Sequence, residues 1–70
     1  MEETVYWLYH NGSPVYRHAD YDGIKQRRDE LMGIHEYDNF VIEKHTKRVE
    51  YLGSWKLKNR PERVKELNDA

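Results

Sequence analysis

The chain has 70 residues, 37% of them apolar and 36% charged, with a formal net charge of −1 and no cysteine. That length supports one small domain with a modest core, and the lack of cysteine removes disulfides and thiolate metal sites as reinforcement. Two Trp, six Tyr and one Phe are too many aromatic residues for a disordered chain, and no apolar run reaches membrane-spanning length.

The segment Met1-Glu2-Glu3-Thr4 is acidic where a secretory signal would be basic. The expectation is therefore a soluble cytoplasmic protein, 1–70 forming a single domain, with no membrane partner. Because the apolar content is small, self-association as a homodimer is the expected route to burying more surface.

The first local signal is Asn11-Gly12, set between two runs rich in aromatic and β-branched residues. Both residues tolerate the positive φ angles of a type I′ turn, so a β-hairpin is predicted. With Asn11 and Gly12 as the loop, Trp7 faces Tyr16 and Leu8 faces Val15. One face then carries Val5, Trp7, Tyr9 and Tyr16, and the other carries Tyr6, Leu8 and Val15 beside Arg17. Both faces are substantially apolar, so both call for a cover.

A helix follows, capped by Asp20 and stopped at Gly33. Its apolar stripe is Tyr21, Ile24, Leu31 and Met32, flanked by Arg28. Asp22, Gln26 and Asp29 lie opposite with Glu30 at the border, which predicts an acidic outer surface. A polar connection over 34–39 contains His35, Glu36, Asp38 and Asn39.

The next predicted unit is a second hairpin, Phe40–Lys44 with Lys47–Leu52, turning around His45-Thr46. Its even-length loop pairs Phe40 with Tyr51, Ile42 with Val49 and Glu43 with Arg48. Gly53-Ser54 reads as an interruption before a basic arm over 53–70. Within that arm, Asn59-Arg60-Pro61-Glu62 resembles a capping box, and Val64 and Leu67 give a short final helix a narrow apolar edge. The predicted order is ββαββα, an α+β domain built on an antiparallel sheet.

Candidate sites are judged against ordinary structural roles. His10, His18, His35 and His45 form neither a His-Glu-x-x-His motif nor a closely spaced pair, so they read as surface histidines with no metal role. Ser13, Thr46 and Ser54 lie in turns or strands and not in a nucleophile elbow, and the four glycines are isolated and not gathered in a phosphate loop. Capping or solvation accounts for the neighbouring carboxylates. The expectation is a non-enzymatic protein without a cofactor.

Charge distribution is the stronger clue. Residues 1–43 carry nine acids and four bases, whereas 44–65 carry eight bases and two acids. Asp20, Asp22, Asp29, Glu30, Glu36 and Asp38 form a candidate partner-binding face that could imitate DNA phosphates for a basic nucleic-acid-binding protein. Lys44, Lys47, Arg48, Lys56, Lys58, Arg60 and Arg63 form the alternative, a nucleic-acid-binding surface with Trp55 stacking on a base. Solvation of an edge strand explains the same bases without a ligand.

The short, cysteine-free, Tyr- and charge-rich chain with its ββαββα pattern resembles the small early proteins with which tailed bacteriophages take over a host cell. That resemblance implies a non-enzymatic protein that binds a host macromolecule in the host cytoplasm and modulates, typically inhibits, its activity. Some members of that group imitate DNA.

Overall fold

A computed structural model describes residues 3–59 of the chain. Five elements occur in the order β1 (Val5–His10), β2 (Ser13–His18), α1 (Tyr21–Ile34), β3 (Phe40–His45) and β4 (Val49–Trp55). The four strands form one antiparallel sheet in the order β2-β1-β3-β4. The protein is thus α+β, a four-stranded sheet with a helix packed on it. The predicted final helix, with Arg60 and Arg63, lies outside the described residues.

Strand β1 is an interior strand of the sheet and carries apolar residues on both of its faces. β2 and β3 flank it, each antiparallel to it, and α1 is the crossover between them. Pro14 falls on the edge strand β2, where a residue without an N–H breaks no interior ladder. The Asn11-Gly12 turn forms as predicted, with φ of 50° and 91°.

The cross-strand pairing departs from the even register. A bulge between Leu8 and Tyr9 leaves Val15 unmatched, so Leu8 pairs with Tyr16 and Trp7 with Arg17. The bulge puts Tyr16 on the core side and Arg17 beside Trp7, reversing their expected placement.

The second hairpin shifts further. Its loop is Thr46–Arg48, closed by the Thr46 N–H donating to the Arg48 carbonyl at 2.9 Å. His45 pairs with Val49, Glu43 with Tyr51, Ile42 with Gly53 and Phe40 with Trp55, with a bulge after Ile42. β4 therefore runs through Gly53 and Ser54, and the arm begins beyond Trp55. Extension of the strand brings Trp55 beside buried Phe40, an apolar gain that the shorter pairing would forgo.

The fully buried core is Leu8, Ile24, Phe40 and Ile42, with Tyr6, Tyr21, Leu31, Met32 and Trp55 packed around it. The predicted helical stripe is thus the one that meets the sheet. The helix ends differ in detail. Asp20 occupies the N-cap position in extended conformation but makes no side-chain cap bond; its own N–H donates to His18 Nδ1 at 2.9 Å. The helix passes through Gly33 to Ile34, and the His35 N–H closes its last turn on the Leu31 carbonyl at 2.8 Å.

Candidate functional site

Alternation along the strands separates two sheet faces. Tyr6, Leu8 and His10 of β1, with Phe40 and Ile42 of β3, face the helix. Val5, Trp7 and Tyr9, with Val41, Glu43 and His45, face the opposite way, joined by Arg17 of β2 and by Val49 and Tyr51 of β4. Among the described residues no second layer covers this face, and Tyr51 and Val49 are 65% and 57% exposed.

The open face is organised around Trp7. The Arg17 guanidinium lies 5.6 Å from the indole centroid, and the His45 ring packs on the same indole at 5.6 Å. Glu43 orders the row beside it, accepting from His45 Nε2 at 3.1 Å and from the Tyr9 hydroxyl. Burial pushes the Tyr9 phenol above its usual range, and the Glu43 hydrogen bond and negative charge push it the same way. A shallow groove of about 650 Å³ runs over Val5 and Trp7 between Arg17 and Lys47, with Glu3 and His45 at its border. Its charge is mixed.

The helix residues of the predicted acidic face are exposed, but bases of the same helix stand beside them. Within α1, Asp22, Asp29 and Glu30 are balanced by Lys25, Arg27 and Arg28, three acids against three bases. Arg27 donates to Glu30 at 3.0 Å, Arg28 to Asp29 at 2.8 Å, and Lys25 stands 3.7 Å from Asp22. Glu36 takes Lys58 at 3.2 Å. Asp38 is held by His10 at 2.7 Å and by the Asn11 side chain, and these contacts keep its carboxyl below the usual range. Asp20 remains exposed at the head of the helix. The helix surface is accordingly mixed in charge and not acidic.

The basic segment is also dispersed. Lys44 alternates to the helix side at the far end of β3, Lys47 and Arg48 sit in the β3–β4 loop, and Lys56 is exposed beyond β4. Lys58 pairs with Glu36. Trp55 is not presented for stacking: its ring lies over Gly53 and carries the Arg28 guanidinium 4.5 Å from its centroid.

Sequence reasoning missed two groupings. The Trp7–Arg17 contact was hidden by the bulge, because an even hairpin register puts Arg17 on the other face. The second grouping is His10, His35 and Asp38, whose ligand-type atoms lie within 4.8 Å of one another. The i,i+3 spacing of His35 and Asp38 is visible in the sequence, but a search for paired histidines passes over it. Comparison with protein-family models, curated proteins and solved structures finds no match.

Proposed function

We propose that this protein is a non-enzymatic interaction module that docks a protein partner on its open sheet face and modulates that partner's activity. The observation that carries the reading is Trp7 on a sheet face that no second layer covers among the described residues, with Arg17 over its ring and Tyr51 exposed on the same face. Trp, Tyr and Arg are the residue types most enriched among interface anchors. The groove beside Trp7 pairs Arg17 and Lys47 with Glu3 and His45, and mixed charge suits a protein surface better than a phosphate backbone. In keeping with the resemblance to early phage proteins, the partner is a host macromolecule met in the host cytoplasm.

Two other occupants follow from the same features. A second copy of the chain would bury the face as a homodimer, and the segment beyond residue 59, where the final helix of the expected ββαββα order lies outside the described residues, is the other. The DNA-imitating version moves the partner to Asp20, Asp22 and Asp29, and the intrachain ion pairs weaken its appeal. Direct nucleic-acid binding has less support, since the bases of 44–58 do not converge.

The test is affinity capture from a bacterial host lysate, with and without nuclease, using three proteins: the native chain, Trp7→Ala with Tyr51→Ala, and Asp22→Lys with Asp29→Lys. Nuclease-resistant capture that falls roughly tenfold or more in the aromatic variant alone is the expected result. Loss only in the charge-reversed variant moves the partner to the helix, and loss on nuclease treatment replaces the reading with nucleic-acid binding. Sedimentation of the native chain at high micromolar concentration decides whether the open face is already filled by a second copy.

A further inference from the structure

We propose that His10, His35 and Asp38 form a binding site for a divalent late first-row transition ion, with Zn²⁺ the best match. The three side chains come from the end of β1, the C-cap of α1 and the loop before β3. Their donor atoms all lie within 4.8 Å of one another. His10 Nε2 donates to Asp38 Oδ2 at 2.7 Å, and His35 Nδ1 stands 3.6 Å from that same oxygen.

The second distance is the informative one. At 3.6 Å the His35 nitrogen is too far for a hydrogen bond to Asp38. Two ligand atoms bound tetrahedrally to one zinc ion, at bonds of about 2.0–2.1 Å, stand roughly 3.3–3.4 Å apart. The His35–Asp38 pair, at 3.6 Å, is already near that separation, and the His10–Asp38 pair, at 2.7 Å, has to open by roughly 0.6–0.7 Å. Two imidazoles and one carboxylate are a donor set for zinc and its neighbours, whereas calcium and magnesium prefer all-oxygen sites.

The surroundings hold these groups in place. The His10 ring is stacked on buried Phe40, 8° from parallel at 4.8 Å, and packs beside the His35 ring at 4.8 Å. The Asn11 side chain also bonds to Asp38, while its carbonyl oxygen accepts from the Asn39 N–H at 2.9 Å. The Asn11 N–H donates to the Asn39 carbonyl at 2.8 Å, and the Asp38 N–H to the His35 carbonyl at 3.0 Å. Such outer contacts orient ligands before an ion arrives. A bound ion would tie the end of α1 and its following loop to the central strand, reinforcing a domain with no disulfide.

The experiment is calorimetric and thermal titration of the full 70-residue chain, freed of metal by chelation, with Zn²⁺ alone. One equivalent is expected to bind with micromolar or tighter affinity. Hundredfold excess over Kd should raise Tm by about 10 °C or more. Asp38→Asn and His35→Ala should each weaken binding by more than the roughly 10–100-fold that outer-contact substitutions cost, while His18→Ala and His45→Ala leave it unchanged. Should a ligand variant fail to fold, Co²⁺ added to the native chain should shift and broaden the His10 and His35 ring resonances far more than those of His18 and His45. Absence of binding at millimolar Zn²⁺ overturns the site. So does wild-type affinity in folded Asp38→Asn and His35→Ala, or Co²⁺ shifts at His18 or His45 in place of His10 and His35.

Discussion

The Arg28 guanidinium lies over the Trp55 ring, 4.5 Å from its centroid, joining the flank of the helix to the last residue of β4. Arg28 also donates to Asp29 at 2.8 Å, and its side chain is only 15% exposed. A residue of the supposed acidic helix and one of the supposed basic arm thus form part of one packed layer. Removing the guanidinium should take away both the cation–π contact and the aliphatic cover of the indole. Arg28→Ala is expected to destabilise the fold by about 1–2 kcal/mol, with a shift in the Trp55 component of fluorescence. Urea denaturation measures it, and Arg28→Lys should recover only part of the loss because an ammonium lacks the planar stacking surface.

Gly53 makes the same layer possible from the other side. A Cβ there would sit 2.6 Å from Trp55 Cζ2 and 2.7 Å from Cη2. The indole has little room to yield, since Arg28 packs on it and the strand pairs with Phe40. Gly53→Ala should therefore cost about 1–3 kcal/mol through overpacking, outweighing the entropy that alanine saves in the unfolded chain. A lower thermal midpoint with altered near-ultraviolet circular dichroism checks this, and an unchanged midpoint would show that the ring is not held against the strand.

The pH profile should be bounded at both ends by hydrogen-bonded groups. The Asp38 carboxyl is held low in the folded state, chiefly by its hydrogen bond with His10. Its stabilising contribution is fully present above the ordinary value of 3.8 and is lost as pH falls through the lower folded value. The Tyr9 phenol is held high, first by burial and then by Glu43. Its contribution is fully present below 10.0 and is lost as pH rises through the raised folded value. Thermal midpoints measured across pH in chelator should show the acid limb shrink in Asp38→Asn and the alkaline limb shrink in Tyr9→Phe. A profile that neither substitution alters would remove both assignments.

The local elements were legible in the sequence where short-range physics decides them. Asn11-Gly12 specifies its turn by its tolerance of positive φ, and the spacing of Tyr21, Ile24, Leu31 and Met32 specifies the buried side of α1. The two apolar faces of β1 were legible as well, as a need for cover on both sides, while the strand order was not. The order of apolar and polar residues carries these features because each depends on neighbours within a turn or two.

The registers, the pairing of charges and both candidate sites were decided only in three dimensions. A bulge changes which side chains share a face without changing the alternation that precedes it, so neither the Val15 nor the Leu52 bulge was foreseen. Arg17 reaches Trp7 for that reason, and Trp55 reaches the core through the longer pairing of β4. The charge of α1 is evened out because i,i+3 spacing sets Asp22 against Lys25 and Glu30 against Arg27, and Asp29 takes the adjacent Arg28. His10 meets Asp38 across a separation of 28 residues, through strand β1 and the close of α1. The charge asymmetry is therefore a property of the linear chain, while contact between distant segments determines which surfaces remain available for binding.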